Sequence, residues 1–165
     1  MRIIETKAFQ FKELDSQTQE KVIENNRTMN VDSDFWYQCE LDNYKNELDI
    51  IVSEFDIYRR TINITIEDSF ETAQKIVNFY GKESSIVKTA EIFLKDRISV
   101  YKNYEHDWYE LEEQLEYLEE EFRREIAEEI LSMLTLEYEY QTSDDGIKET
   151  IIANEYEFTE DGKQI

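Results

Sequence analysis

The order of apolar and polar residues predicts a chain built from a few short strands and several helices. Alternation over residues 3–11 and 57–66 predicts two strands, and the second segment is rich in β-branched residues. A last strand is predicted at residues 155–158, just before the Asp161-Gly162 turn. Helical spacing predicts helices over approximately residues 16–26, 34–51, 69–80, 85–101, 105–140 and 147–153.

Capping residues and apolar stripes define these helices further. The predicted N-terminal caps are Asp15 or Ser16, Asp68 with Glu71, and Ser84 or Ser85. Gly81 follows the third helix, where a C-terminal glycine belongs. The residues predicted to face inward are Tyr37, Leu41, Tyr44, Leu48 and Ile51 in the second helix, Phe70, Ala73, Val77 and Tyr80 in the third, and Val87, Ala90, Leu94, Ile98 and Tyr101 in the fourth.

The segment from about residue 105 to 140 is predicted to be one long helix. Residues 135–142 also fit a strand, and Ser143-Asp144-Asp145-Gly146 is a turn sequence. The apolar residues of this helix recur at spacings of three and four and are predicted to face inward: Trp108, Leu111, Leu115, Leu118, Phe122, Ile126, Ile130 and Met133 or Leu134. The pattern predicts a single α+β domain over residues 1–165, with a small, mostly antiparallel sheet covered by helices and one long acidic helix in the C-terminal half.

Composition changes this picture mainly through charge. The 165 residues include 40 acidic and 18 basic ones, which gives a net charge of −22. A surface of that charge repels nucleic acid and anionic membranes, so direct binding to either is not expected. No stretch has the roughly 18 apolar residues that a membrane span needs, and no secretory leader is expected. With 11 tyrosines and 9 phenylalanines to build a core, the sequence predicts a folded cytoplasmic protein.

The residues that most catalytic sites require are scarce. Cys39 is the only cysteine and His106 the only histidine, which argues against disulfides, cysteine–histidine zinc sites and serine–histidine–aspartate triads. Cys39 is predicted to be a small buried hydrophobe. The pairs Asp32/Asp34 and Asp144/Asp145 match no known calcium-loop spacing. No catalytic residue, metal ligand or cofactor is predicted, and the protein is not expected to be an enzyme.

The acidic residues are concentrated in the predicted long helix. Residues 105–129 include 12 acidic residues against Arg123 and Arg124. As a helix this segment is about 37 Å long, so it carries about one net negative charge per 3.7 Å, close to the roughly 3.4 Å per phosphate along one DNA strand. The candidate phosphate surrogates are Glu112, Glu113, Glu116, Glu119, Glu120 and Glu121.

A simpler interpretation is that these glutamates form a solvated helix face. Like charges at helical spacing destabilise a helix, however, and few lysines are interleaved to offset them. Trp36 is a candidate partner-binding hot spot, or else part of a wide buried face. The basic pair Arg59-Arg60 on the predicted middle strand is expected to neutralise internal carboxylates or, as the alternative, to mark a binding site.

Two terminal segments carry a resemblance. The run YEYQTSDDGIKETIIANEYEFTEDGK at residues 138–163 resembles the tail of a group of small acidic proteins encoded by bacteriophages and prophages. The segment FQFKELDSQTQEKVIENNR at residues 9–27 is similar to their strand-then-helix start, although the alanines of that pattern are absent here. The resemblance implies a phage origin and transfers no functional residue. By analogy of class, acidic phage proteins include DNA-mimic anti-restriction and anti-CRISPR inhibitors.

The sequence therefore predicts a phage-encoded counter-defence inhibitor acting in the host bacterial cytoplasm. Its expected partner is a basic, nucleic-acid-binding protein of the host, such as a restriction or CRISPR nuclease, bound by mimicry of nucleic-acid charge. One alternative is an interaction module without mimicry that uses an apolar patch around Trp36 or the apolar seam of the long helix. A carboxylate- or metal-dependent enzyme is the other alternative. A homodimer is compatible with the pattern if Trp108, Leu111, Leu115 and Leu118 face a second chain.

Overall fold

The computed structural model describes residues 7–103 and 108–165 and confirms the α+β class. Over these residues the chain forms six α-helices and four strands, the strands paired in two small antiparallel sheets. The strands are β1 (Phe9–Gln10), β2 (Ile50–Asp56), β3 (Thr61–Ile66) and β4 (Glu157–Phe158). The helices are α1 (Ser16–Asn25), α2 (Phe35–Leu48), α3 (Ser69–Phe79), α4 (Ser85–Lys102), α5 (Trp108–Gln141) and α6 (Asp144–Ala153).

Two compact units divide the chain. Unit 1 consists of Met1–Trp36 and Leu136–Ile165, and unit 2 consists of Tyr37–Thr135. The helices α2 and α5 each contribute residues to both units. The expectation that residues 1–165 behave as one domain stays a prediction.

Unit 1 is held together by a short sheet and an apolar core. Phe9 of β1 pairs with Phe158 of β4. The core residues are Phe11, Leu14, Val22, Ile23, Ile147, Ile151 and Phe158. Asp15 caps α1 as predicted, because its carboxylate accepts a hydrogen bond from the Thr18 amide at 3.0 Å. Ser143 caps α6 in the same way by accepting from the Gly146 amide at 3.1 Å.

Unit 2 packs the β2–β3 hairpin and α2–α5 around a larger core. Its buried residues are Tyr44, Leu48, Ile50, Ile66, Ala73, Ile76, Ile86, Val87, Ala90, Phe93, Phe122, Ile126, Ile130 and Leu134. Phe93 of α4 stacks on Phe122 of α5 with ring centroids 4.4 Å apart. The predicted cap at Asp68 is confirmed, because its carboxylate accepts from the Glu71 amide. Ser84 lies at the predicted cap position before α4, but its side chain makes no capping hydrogen bond. Gly81 follows α3 as predicted but has no positive φ.

The predicted middle strand is wrong in its extent. Residues 57–60 form the turn of a hairpin, and the strand β2 before them was not predicted. Asp56 holds this turn by accepting hydrogen bonds from the amides of Tyr58 and Arg59. Arg60 adopts a φ of 55° there, and Asp49, which separates α2 from β2, has a φ of 57°. Because that break ends α2 at Leu48, Ile51 belongs to β2 and not to a helical stripe.

Both ends of the predicted pattern also change. Residues 135–141 are helical, and Ser143–Gly146 is the cap and first turn of α6 rather than a separate turn. At the other end, β1 is limited to two residues and a 3-10 turn follows over Phe11–Glu13. The predicted strand residues 3–6 lie outside the described residues, as does the predicted start of the long helix at 105–107.

Several residues predicted to face inward are exposed. Ile98 and Tyr101 of α4 are 53% and 51% exposed, and Trp108 of α5 is 69% exposed. On α4 the last buried core residue is Phe93, and Ile98 and Tyr101 lie on later turns, beyond that buried core. Cys39 is also exposed, which corrects the prediction of a buried thiol. Among the described residues, no helix combines the length and apolar character needed to cross a membrane.

Candidate functional site

Four of the six candidate glutamates form a continuous exposed strip on α5. Glu112, Glu113, Glu116 and Glu120 are all exposed and lie within one third of the helix circumference, because residues three and four apart share a helix face. We call these four residues the acid face. It extends over about 12 Å of helix at 1.5 Å per residue. Within the described part of the chain, no basic side chain is in ion-pair distance of any of the four.

The other two candidate glutamates are paired with arginines. The Glu119 carboxylate accepts from Arg97 Nη1 at 2.9 Å and from Arg123 Nη2 at 3.0 Å, and its side chain is only 29% exposed. Glu121 accepts from Arg124 Nη2 at 2.7 Å, and this hydrogen bond lowers the pKa of the Glu121 carboxyl below its ordinary value. These arginines of the same chain largely balance the charge of Glu119 and Glu121, so the acid face is narrower than the sequence alone predicts.

Tyr109 lies on the same side of α5 as the acid face. It stands three and four residues before Glu112 and Glu113, and its side chain is 87% exposed. The sequence prediction did not single it out. The adjacent pair Trp108-Tyr109 at the start of a charged helix is the available indication. Neighbouring residues are about 100° apart around a helix, so the two rings cannot both point to the centre of its apolar face.

A groove borders the acid face where α5 begins, and we call it the α4–α5 groove. It has a volume of about 540 Å³. Its lining residues come from the end of α4 and the first half of α5: Tyr101, Trp108, Leu111, Glu112, Leu115, Glu116, Glu119 and Arg123. Two carboxylates of the acid face, those of Glu112 and Glu116, therefore stand at the edge of an aromatic and aliphatic surface.

Next to this groove the chain holds one of its own arginines between aromatic rings. The Arg97 guanidinium carbon lies 5.4 Å from the centroid of the Phe70 ring and 5.7 Å from that of Tyr101. It donates to Glu119 as well, and its side chain is 21% exposed. The cation is therefore held by two rings and one carboxylate, a combination that recognises arginine well.

The structure does not bring Trp36 and the acid face into one unit. Trp36 belongs to unit 1 and the acid face to unit 2. Trp36 is half-buried and meets the Tyr138 ring edge to face, with centroids 5.6 Å apart. Its neighbour Phe35 is 86% exposed.

The remaining described candidates lie on separate elements of the chain. Arg59 lies on the hairpin turn, where its side chain is 83% exposed and 3.6 Å from Asp56, so it does not neutralise buried carboxylates. Asp144 pairs with Arg27 and Asp145 with Lys148. Over the described residues no cluster of three or more histidine, cysteine or carboxylate side chains is arranged to hold a metal ion. His106 lies outside the described residues.

Comparison of the chain with protein-family models, with curated proteins and with solved structures found no match. The resemblance of residues 9–27 and 138–163 to acidic phage proteins therefore stays a prediction. The arguments that follow rest on the geometry and charge of the described residues.

Proposed function

We propose that the protein is a phage-encoded counter-defence inhibitor that binds a basic, nucleic-acid-binding protein of the bacterial host. It acts by occupying the surface on which that protein binds DNA or RNA, and it carries out no catalysis and needs no cofactor. The observation that carries the proposal is the acid face of α5, whose four exposed carboxylates form no ion pair among the described residues.

The spacing of these carboxylates suits a surface made for phosphates. Four charges over about 12 Å of helix correspond to roughly one charge per 4 Å, near the 3.4 Å spacing along one DNA strand. Arginine and lysine side chains that bind phosphate oxygens also donate well to carboxylates. A helix is moreover rigid, so the charges need no ordering when the partner binds.

The charge of the whole chain supports the same partner class. At a net charge of −22 the protein attracts basic surfaces over a distance and repels nucleic acids and anionic membranes. We therefore place it in the host cytoplasm, where restriction and CRISPR nucleases act. Electrostatic attraction predicts fast association that weakens as salt is added.

Charge reversal on the acid face tests the proposal. The variant carries Glu112→Lys, Glu113→Lys, Glu116→Lys and Glu120→Lys. A matched control reverses four exposed glutamates elsewhere in unit 2, Glu47, Glu54, Glu67 and Glu91. Both variants are eight charge units less negative than the parent at −22. Each tagged protein is used to capture partners from a bacterial lysate at low and high salt, and the recovered protein is then purified.

The expected result is a nucleic-acid-binding protein that the parent and the control retain at low salt and release at high salt. The acid-face variant binds it about a hundredfold more weakly or not at all. The parent also displaces DNA or RNA from the purified partner. Equal affinity of the acid-face variant and the control, or a partner that binds its nucleic acid unhindered, contradicts the proposal.

A second candidate function is an interaction module that uses apolar contacts. The exposed Phe35 beside half-buried Trp36 is the observation in its favour, because exposed aromatic residues are common interface anchors. In that case the partner stays bound at high salt and is lost on Trp36→Ala or Phe35→Ala, while the charge reversals have little effect.

A further inference from the structure

We propose that the α4–α5 groove receives an arginine side chain of the basic partner. The inference rests on the proposed function, because two of the carboxylates that would bind the arginine belong to the acid face. It adds a specific contact to a surface otherwise described by charge alone.

The lining of the groove matches the two parts of an arginine side chain. Leu111 and Leu115 offer an aliphatic surface for the methylene groups, and Trp108 offers an aromatic one. Glu112 and Glu116, one helical turn apart, supply carboxylates that a planar guanidinium can bind through several N–H groups. Among the described lining residues, Glu119 accepts from Arg123 at 3.0 Å and from Arg97 at 2.9 Å, so its charge is balanced. Glu112 and Glu116 are the described lining carboxylates that form no ion pair.

Arg97 shows that the same chemistry already operates at this end of α4. It lies over Phe70 and Tyr101 and donates to Glu119. Tyr101 also lines the groove, so its ring is shared between the arginine of this chain and the proposed site. A second arginine would meet an equivalent arrangement, with Trp108 as the ring and Glu112 or Glu116 as the carboxylate.

An arginine is favoured over a lysine for a physical reason. The guanidinium is planar and weakly hydrated, so it stacks on an indole ring while keeping its hydrogen bonds in the ring plane. The lysine ammonium is compact and strongly hydrated, and it gains less from an aromatic surface. Trp108 is 69% exposed, which leaves most of its surface to be covered on binding.

The experiment uses the full chain and two synthetic peptides. One is a blocked decapeptide of alternating arginine and serine, and the other has every arginine replaced by lysine. The fluorescence measurement uses a protein that carries Trp36→Phe. Of the two tryptophans of the sequence, Trp108 alone is then left, so its fluorescence reports on the groove. Affinities are also measured by anisotropy of labelled peptides for Trp108→Leu and for the control Tyr117→Leu. Tyr117 is a 62% exposed aromatic residue of α5 outside the groove lining.

We expect the arginine peptide to change Trp108 emission in a saturable way and to bind about fivefold to tenfold more tightly than the lysine peptide. Trp108→Leu should abolish this preference, whereas Tyr117→Leu should leave it unchanged. Equal affinity for both peptides in the parent, or an arginine preference that survives Trp108→Leu, overturns the groove assignment. If either result is obtained and the acid-face variant still fails to bind the host partner, the proposed charge mimicry remains supported without the groove. If that variant keeps the partner, the proposed function fails whatever the peptides show.

Discussion

Of the three glycines, Gly146 leaves the least room for a side chain. It is the third residue of α6, and its amide donates to the Ser143 cap at 3.1 Å. A Cβ atom at this position would overlap the carbonyl oxygen of Tyr140, near the end of α5. Only two residues separate the helices, so the backbone has little room to move aside. The glycine allows this close approach.

We predict that Gly146→Ala lowers the free energy of unfolding by about 1–3 kcal/mol, because the new methyl group forces the two helix ends apart. Gly81→Ala is the control, since a Cβ there meets nothing within 4 Å and the φ is not positive. That change should be neutral or stabilise by up to about 1 kcal/mol. Urea unfolding followed by circular dichroism measures both, and equal effects would refute the steric argument.

Tyr44 is the largest polar side chain in the core of unit 2. It is 1% exposed, and its hydroxyl donates to the Met133 sulfur at 3.8 Å. Burial raises the pKa of the Tyr44 hydroxyl strongly, with smaller contributions from the nearby Tyr80 and Glu40. The folded state therefore keeps this proton at pH values where the unfolded chain has lost it.

This raised pKa makes stability depend on alkaline pH. The contribution of Tyr44 is fully present below the unfolded pKa of about 10 and is lost progressively as the pH rises toward the folded pKa. The loss approaches about 1.4 kcal/mol per pH unit for one proton. We predict that Tyr44→Phe reduces the slope of unfolding free energy against pH between pH 9.5 and 11. An unchanged slope would contradict the prediction. Tyr80 and Tyr140, whose pKa values are also raised, contribute to the slope that remains in the variant.

At the scale of elements, the sequence predicts helices better than strands. Helix starts depend on local chemistry, and the caps Asp15, Asp68 and Ser84 lie where the pattern indicates. The pattern places the start of β2 in a helix because Ile51 continues the apolar spacing of α2. The helix is ended by Asp49, whose backbone is in the left-handed conformation, and no simple sequence pattern indicates that conformation. The pairing of β1 with β4 depends on residues far apart in sequence.

The candidate site was predictable in its position but not in its extent. The density of glutamates in α5 indicates an acidic helix face, and helical spacing alone groups Glu112, Glu116 and Glu120. The pairing of Glu119 with Arg97 depends on how α4 packs against α5, which periodicity does not show. The α4–α5 groove lies beyond the buried core of unit 2, which ends at Phe93 on α4 and begins at Phe122 on α5. The apolar spacing continues past both residues, so it predicts that Tyr101 and Trp108 face inward, whereas both are exposed.

At the scale of the whole molecule, the charge of −22 opposes the compact state. Like charges held within one folded chain repel each other, and salt screens this repulsion with a Debye length of about 10 Å at 0.1 M. We predict that the melting temperature rises by several degrees, on the order of 5 °C, between 10 mM and 500 mM NaCl. Differential scanning calorimetry at pH 7 measures this shift, and a lower melting temperature in high salt would contradict it.

The same series separates screening from specific metal binding. MgCl2, MnCl2 or CaCl2 at the ionic strength of the NaCl control should give a similar melting temperature, because no cluster of metal ligands occurs among the described residues. A divalent ion that raises the melting temperature well beyond that control would bind specifically to the folded state. That result would favour the metal-dependent enzyme over an inhibitor that acts by binding.

The pairing of Phe9 with Phe158 determines that the β1–β4 sheet forms late during synthesis on the ribosome. Unit 2 is one continuous segment, so all of its contacts are available once Thr135 has left the exit tunnel. The strand β1, synthesised before unit 2, cannot pair until β4 follows. At about 5–20 residues per second, the interval between Thr135 and Phe158 lasts about one to five seconds. While unit 2 is being translated, the nascent β1 segment therefore has no β4 strand to pair with.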